Sequence, residues 1–217
     1  MTELLIFDLD NTLLAGDSDR NWGIFLAEQK VVDSSYLDES EKFYNNYYEG
    51  SLDIDGFLSF CLRPLIDNDM SYLLKLRQQF IDEKIKPIMT QTGKKLIDES
   101  QAEGKTVIIA TATNDFVTRP IADLFNVDTL IATEFEIQNN NFTGKVLGEP
   151  CFRDGKLNKV KKWINEHNCD LSKTSFYSDS FNDLPLLEQV KYPVIVDGDD
   201  KLIEIGKNNN WECISFR

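Results

Sequence analysis

Two carboxylates, Asp8 and Asp10, follow an apolar run near the start of the chain, in the stretch LLIFDLDNT. Residues 4–7 predict a buried parallel strand, because the run is apolar without alternation. Side chains two apart on a strand point to the same side, so the two carboxylates would lie close together. One could act as a nucleophile that forms an acyl phosphate, and the other as a general acid and base. Their mutual repulsion calls for a cation.

Three further polar clusters could contribute to the same chemistry. Thr111 ends the apolar run TVIIAT, and its hydroxyl and the N–H groups after it could hold a phosphate oxygen. Lys156 opens a basic helix and could neutralise phosphate charge. Asp179 and Asp183 are four residues apart across a turn, so both can face one hard cation such as Mg²⁺.

Each cluster alone also fits a purely structural role. Asp and Thr commonly cap helices, a lysine is usually solvated, and acidic residues are frequent in turns. These roles do not account for the order of the clusters along the chain. An Asp-x-Asp-x-Thr, a strand-ending Thr, a Lys and an Asp-x-x-x-Asp follow one another in or after successive predicted strands.

The pattern of apolar residues predicts the elements that would position these groups. Apolar runs predict strands at residues 4–7, 106–111, 129–133, 174–179 and 192–197. The stretch FEIQNNNFTGKV predicts a hairpin that turns at residues 139–141, and WECISF predicts an edge strand.

Helical spacing of apolar residues predicts helices between the strands. Their predicted ranges are 19–29, 35–48, 54–65, 70–85, 91–104, 115–125 and 156–167. Pro120 predicts a kink or a late start in the helix that contains it. Strands separated by helices predict an α/β fold with a doubly wound parallel sheet. Ligands of such sheets bind at the carboxyl ends of the strands, where the polar clusters lie.

Composition limits the functions that are open to the chain. The 217 residues include 23 basic and 37 acidic ones, for a net charge of −14, which repels nucleic acid and anionic membranes. No basic leader precedes the first strand and no apolar run could span a bilayer, so we expect a cytoplasmic protein. His167 is the single histidine, which excludes zinc sites built on several histidines and disfavours a Ser-His-Asp triad.

The ordered motifs resemble the haloacid dehalogenase (HAD) superfamily of phosphohydrolases, and within it subfamily IB, the phosphoserine-phosphatase-like group. The resemblance covers nearly the whole chain and is carried by DLDNTLLAGDSD, IIATATNDFVTRPIA, CFRDGK and YSDSFNDLPLL. It implies a Rossmann-like catalytic core formed by residues 1–16 and 86–217, and a helical C1 cap formed by residues 17–85. The implied activity is Mg²⁺-dependent hydrolysis of a small phosphorylated metabolite through an aspartyl-phosphate.

The resemblance also implies roles for individual residues. Asp8 would be the nucleophile, and Asp10 the acid and base whose main-chain carbonyl also binds Mg²⁺. The implied metal ligands are Asp8, Asp10 and Asp179, with Asp183 as a ligand or its neighbour. The implied substrate contacts are Lys156 and Thr111 with the phosphoryl group, Ala112 and Asn182 beside it, and Asp17 with a substrate amine. Arg63 in the cap is a candidate for a substrate carboxylate, with Arg20 and Arg153 as weaker ones. The aromatic residues of the cap are predicted to form its core.

The substrate stays open at this stage. Phosphoserine phosphatases usually have Gly-Gly after the hydroxyl of their second motif, where this chain has Ala112 and Thr113, and this disfavours phosphoserine. Histidinol phosphate, other small phosphomonoesters and a phosphotransferase reaction are alternatives. A receiver-type signalling domain also uses acidic residues, a Thr or Ser and a Lys around Mg²⁺, but the large helical insertion and the second aspartate argue against it. A dehalogenase is disfavoured because it needs no carboxylates for Mg²⁺. The sequence predicts no oligomeric state.

Overall fold

The strands form one sheet with the first strand at its centre. The computed structural model describes residues 3–167 and 169–217, and its strands are β1 (Leu4–Phe7), β2 (Thr106–Asn114), β3 (Thr129–Gln138), β4 (Asn141–Leu147), β5 (Thr174–Ser178), β6 (Tyr192–Val196) and β7 (Glu212–Ile214). Their order is β4-β3-β2-β1-β5-β6-β7, and all neighbours are parallel except β3 and β4. The carboxyl ends of β1, β2 and β5 therefore meet at one edge.

Helices cover the sheet and form a large insertion between β1 and β2. The insertion, residues 18–85, consists of α1 (Ser18–Glu28), α2 (Ser34–Glu49), α3 (Ile54–Ile66), α4 (Met70–Phe80) and a wider helical turn at Ile81–Ile85. The later helices are α5 (Gln91–Ala102), α6 (Asp115–Leu124), α7 (Asp154–Glu166), α8 (Leu184–Leu187) and α9 (Asp200–Asn209). None of the described helices is long and apolar enough to cross a membrane.

Alternate residues of β1 face two different cores. Leu5 and Phe7 belong to a core shared with α5, α6 and the insertion, whereas Leu4 and Ile6 belong to a core shared with α7, α8 and α9. Both faces of β1 are thus buried, which explains why its sequence is apolar without alternation. The predicted α/β, doubly wound sheet is confirmed.

The observed elements differ from the predicted ones at β3 and at α9. β3 runs without a break from the predicted third strand into the predicted hairpin, and both Asn139 and Asn140 of its turn have positive φ. The helix α9 has no counterpart in the prediction. Its apolar face is short and consists of Leu202, Gly206 and the partly buried Ile203, in a helix that is otherwise mostly polar.

A contact from the insertion explains how α6 continues through Pro120. In a regular helix the residue at position 120 would donate its N–H to the carbonyl of Phe116, but Pro120 has no N–H. The carbonyl of Phe116 instead accepts from Arg77 Nη1 of α4 at 2.8 Å. The predicted late start is wrong, since α6 begins at Asp115 with the side chain of Asn114 as its N-cap.

Candidate active site

Two aspartates from separate motifs meet where β1 and β5 end. Asp8 follows β1, is 6% exposed, and donates its N–H to Tyr177 O of β5 at 2.9 Å. Asp179 follows β5 and is held by Thr12, whose hydroxyl accepts from Asp179 N at 3.0 Å and donates to Asp179 Oδ1 at 3.2 Å. The threonine of DLDNT thus joins the first motif to the last, rather than capping a helix.

Lys156 is almost fully buried between two carboxylates. Its Nζ lies 2.9 Å from Asp8 Oδ1 and 2.6 Å from Asp183 Oδ1. Burial disfavours the charge of Lys156, but Asp183 and then Asp8 outweigh burial and raise its pKa well above the usual value. The preceding Gly155 allows α7 to begin close against the loop that precedes it, because a Cβ there would lie 2.0 Å from Pro150 O.

Asp10 is held by donors on both of its carboxylate oxygens. Ser18 N donates to Oδ1 at 2.6 Å, and Thr113 Oγ1 donates to Oδ2 at 2.8 Å. Burial, and next the charge of Asp17, raise the pKa of Asp10 to about 7, although the bonds from Ser18 and Thr113 act in the opposite direction. A carboxyl group with this pKa can both release and accept a proton near neutral pH.

The remaining carboxylates carry more negative charge than the protein neutralises. Burial raises the pKa of Asp8 to about 7; Lys156 acts against this shift and Asp183 adds to it. Burial, followed by the charges of Asp8 and Asp183, raises the pKa of Asp179 well above its usual value. In the described part of the chain, Lys156 is the ammonium group that pairs with this cluster. When ionised, the three carboxylates outnumber the one ammonium group, and a divalent cation would neutralise the excess negative charge.

The donor set suits a hard cation that keeps water ligands. Among residues 3–167 and 169–217, no three His, Cys, Asp or Glu side chains form a cluster that could hold a metal ion. Mg²⁺ does not require such a cluster, because it binds through one or two carboxylates together with waters and phosphate oxygens. Asp8 and Asp179 offer these carboxylates. Asp183 also lines the cavity, where it is already bonded to Lys156 and to Ser178 Oγ, at 2.7 Å for the latter.

A cavity extends from Asp8 and Lys156 beneath the insertion. Aromatic side chains line it, namely Phe43, Tyr44, Tyr47, Phe57 and Phe152. The predicted core role of the insertion's aromatic residues is therefore only partly correct. Trp22 and Phe25 do pack in the core. The aromatic residues that line the cavity from α2 and α3 are Phe43, Tyr44, Tyr47 and Phe57.

The other predicted substrate contacts divide between the cavity and the surface. Thr111, Ala112, Asn182 and Asp17 line the cavity. The structure does not bring Arg63 there. Its guanidinium forms a salt bridge with Glu39 at 2.7 Å and stacks 4.6 Å above the ring of Phe60, on the outer side of the insertion. A contact between Arg63 and substrate has no support in this geometry.

Asp19, which is not among the predicted site residues, also faces the cavity. Its carboxylate accepts from Tyr44 Oη at 3.1 Å and from Cys61 Sγ at 3.5 Å, both neutral donors. Burial, and next the charge of Asp10, raise the pKa of Asp19 to about 6. Burial, and next the charge of Asp19, raise the pKa of Asp17 to about 7.

Neither of these two aspartates has a cationic partner among the described residues. The guanidinium of Arg20, which is next to Asp19 in sequence, forms a salt bridge with Glu41 at 2.6 Å. Lys156 is the only basic side chain among the described residues that line the cavity. Asp17 and Asp19 therefore place uncompensated negative charge at the end of the cavity that lies in the insertion.

This uncompensated charge should make stability depend on pH through Asp19. Its pKa is about 6 in the folded protein against an ordinary 3.8. The folded state therefore binds more protons than the unfolded chain between these values, and stability falls as the pH rises through the window. Above this pH window, the ionised carboxylate of Asp19 lowers the free energy of unfolding by up to about 3 kcal/mol. Without divalent ions, we expect Asp19→Asn to raise the melting temperature at pH 8 but not at pH 4. Equal shifts at both pH values would contradict the assignment.

Comparison with known proteins identifies the class to which this site belongs. The model of the haloacid dehalogenase-like hydrolase family matches residues 5–188. The chain belongs to this family.

The relatives narrow the class to phosphatases. A histidinol-phosphatase of Neisseria meningitidis serogroup C (strain 8013) is 36% identical over the full length of both chains. The phosphoserine phosphatase SerB1 of Mycobacterium tuberculosis (strain ATCC 25618 / H37Rv) is 27% identical, over 100% of this chain and 72% of the relative. The protein is a phosphoric monoester hydrolase, and this supports the enzyme interpretation over a receiver-type domain.

Solved structures agree with this fold. A protein of unknown function from Bordetella pertussis Tohama I superimposes with a TM-score of 0.93 at 33% identity, with full coverage of both chains. A substrate-bound phosphoserine phosphatase superimposes with a TM-score of 0.73 at 18% identity, over 100% of this chain and 94% of the other. The second similarity is one of fold alone.

Proposed function

We propose that the protein is an Mg²⁺-dependent phosphomonoesterase that works through an aspartyl-phosphate on Asp8. The observation that carries this proposal is the placement of Asp8 against the ammonium group of Lys156, at 2.9 Å, beside a second carboxyl group with a pKa near 7. Lys156 holds the Asp8 carboxylate in place and can stabilise charge on the phosphoryl oxygens. Thr111 also lines the cavity and adds a hydroxyl donor from β2, the strand next to β1.

In the first step, an oxygen of Asp8 attacks the phosphorus and the bond from phosphorus to the substrate oxygen breaks. The leaving alkoxide takes the proton of Asp10, whose pKa of about 7 makes the protonated form available at neutral pH. The hydrogen bonds from Ser18 and Thr113 hold the Asp10 carboxyl group in place during this transfer.

In the second step, Asp10 is a carboxylate and accepts a proton from water. The water oxygen bonds to phosphorus, the aspartyl–phosphorus bond breaks, and inorganic phosphate leaves with Asp8 restored. Asp8 and Asp179, with the main-chain carbonyl of Asp10, would hold Mg²⁺. When bound, it would reduce the repulsion between the carboxylate of Asp8 and the negatively charged ester.

For the substrate, we propose histidinol phosphate. This compound carries an amine and an imidazole but no carboxylate, whereas phosphoserine carries both an amine and a carboxylate. Asp17 and Asp19 offer acceptors for cationic groups, and the aromatic wall suits a flat ring. The only basic lining residue described, Lys156, is already paired with Asp8 and Asp183, so nothing in the lining suits a substrate carboxylate. The Neisseria relative, a histidinol-phosphatase, supports the same substrate.

Metal removal tests the reaction class. We expect a chelator to abolish phosphate release from a panel of phosphomonoesters, and Mg²⁺ to restore it. Asp179→Asn should require at least roughly ten-fold more Mg²⁺, because a metal ligand is lost. Mg²⁺ should also raise the melting temperature of the wild type, since it binds only the folded state, and raise that of Asp179→Asn less.

The matched control for this test is Asp98→Asn on the exposed surface of α5, which should respond to Mg²⁺ as the wild type does. Undiminished activity after complete metal removal would refute the Mg²⁺ assignment. Transfer of phosphate to an added alcohol in preference to water would instead favour the phosphotransferase alternative.

A further inference from the structure

The C-terminal end of α2 is bound by side chains from outside the insertion. Carbonyls at the end of a helix have no N–H partner further along it and need other donors. Here the carbonyls of residues 47–50, termed the carbonyl end of α2, all accept from such side chains. The bonds are Asn182 Nδ2 to Tyr47 O at 3.3 Å, Lys201 Nζ to Tyr48 O at 3.0 Å and to Glu49 O at 3.2 Å, and Arg153 Nη2 to Gly50 O at 2.6 Å.

The charges of two of these donors match the helix. The C-terminal end of a helix carries partial negative charge and is stabilised by nearby cations. The last turn of α2, which the structure describes in full, contains no basic side chain of its own. Arg153 and Lys201 provide the positive charge from positions 103 to 153 residues away along the chain.

Arg153 also connects this helix end to the active-site cavity. Its Nε donates to Asn182 Oδ1 at 2.9 Å, and Asn182 lines the cavity. One guanidinium therefore binds both a cavity residue and the carbonyl end of α2. The backbone of Arg153 has φ +50° and ψ −118°, an unfavourable conformation for a residue with a Cβ. Such strain persists where the surrounding contacts hold the residue in place.

Tyr47 provides a second connection between α2 and the cavity. Its ring lines the cavity, and its hydroxyl lies 2.9 Å from Ser180 Oγ, in the loop that follows Asp179. The carbonyl of the same residue accepts from Asn182. The position of α2 therefore determines where two cavity-lining groups lie, the ring of Tyr47 and the amide of Asn182.

We propose that Arg153 and Lys201 are positioning residues that hold the insertion closed over the active site by binding the carbonyl end of α2. Because the cavity lies beneath the insertion, these bonds must break for substrate to enter and form again before the reaction. The kinetic part of this inference rests on the proposed function, whereas the closure itself can be measured without any substrate.

Hydrogen exchange of the last turn of α2 tests the closure directly. The amides of Gly50 and Ser51 donate to Tyr47 O and Asn46 O, at 3.1 and 2.8 Å. We expect Arg153→Met and Lys201→Met each to speed exchange of these amides by roughly ten-fold, as the loss of a charged hydrogen bond predicts. Lys201 is exposed, so its variant should fold normally. Arg153→Lys, which keeps the charge but not the two-sided contact, should give an intermediate rate.

Two matched control variants remove an arginine and a lysine whose bonds do not involve the carbonyl end of α2. Arg119 donates to Val127 O at 2.6 Å and to Asp128 O at 2.8 Å, away from the insertion. Lys84 forms a salt bridge with Glu28 at 2.7 Å on the surface of the insertion. Arg119→Met and Lys84→Met should leave exchange at Gly50 and Ser51 unchanged.

Kinetics provide the second measurement. With a generic aryl phosphate, Arg153→Met and Lys201→Met should each raise KM several-fold and change kcat less, because the insertion is closed in a smaller fraction of the protein. Unchanged exchange at Gly50 and Ser51 in both variants would overturn the inference, whatever the activity. Wild-type protein that hydrolyses no phosphomonoester would overturn the proposed function, and the exchange rates would still decide whether the closure exists.

Discussion

Asp8→Asn should abolish phosphate release from a generic aryl phosphate, with a loss of at least roughly 10³-fold in turnover, because removal of a nucleophile eliminates the covalent route. The amide cannot attack phosphorus, and Asp183, the other described carboxylate against Lys156, is itself bonded by Ser178 Oγ. Measurement of free phosphate with and without Mg²⁺ checks the result.

The loss should occur without unfolding, which separates chemistry from stability. Burial raises the pKa of Asp8 to about 7, so the folded protein disfavours its charge, and a neutral side chain of the same shape should not lower the melting temperature. Asp98→Asn, far from the strand ends on α5, is the matched control and should keep full activity. Wild-type turnover by Asp8→Asn would exclude this aspartate as the nucleophile.

Asp19→Asn should change the choice of substrate rather than the chemistry. We expect kcat/KM for histidinol phosphate to fall by roughly 10- to 100-fold, the effect of losing a charged hydrogen bond. Turnover of an aryl phosphate that carries no cationic group should change by less than about three-fold, since that substrate offers no cation to Asp19. Competition between the two substrates in one reaction measures the ratio directly.

An exposed aspartate of the insertion provides the control for this variant. Asp55→Asn in α3 removes a carboxylate of the same type outside the cavity and should leave the ratio unchanged. Equal losses on both substrates with Asp19→Asn would mean that the residue supports the site as a whole and does not recognise the cationic part of the substrate.

The motif residues could be placed from the sequence because parallel strands bring their carboxyl ends together. Asp8 and Asp179 come directly after the neighbouring strands β1 and β5. The apolar runs predict both strands, and the order of the sheet then places the two aspartates side by side. The contact of Thr113 with Asp10 could not be predicted in the same way. It depends on an irregularity of register between Ala110 and Asn114 at the end of β2, for which the sequence shows no signal.

The cavity was harder to predict than the strand ends. Helical periodicity indicates which face of α2 is apolar but not whether that face meets another helix or a substrate. Phe43 and Tyr44 accordingly read as core residues, although both line the cavity. Asp19 had one available signal, as the second acidic residue two positions after Asp17, and only the hydrogen bond from Tyr44 and the place of Asp19 in the cavity show its importance.

The bond between Arg77 and the carbonyl of Phe116 has a consequence for how the insertion can move. It joins α4 to α6, and close by, the ring of Trp22 packs edge-on against those of Phe80 and Phe116, at 5.2 and 6.2 Å between ring centres. This flank is closed by buried aromatic rings, whereas the carbonyl end of α2 is bound by polar side chains, of which Arg153 is half-buried and Lys201 is exposed. We therefore expect any motion of the insertion to pivot on the α4–α6 flank and to separate the carbonyl end of α2 from Lys201 of α9.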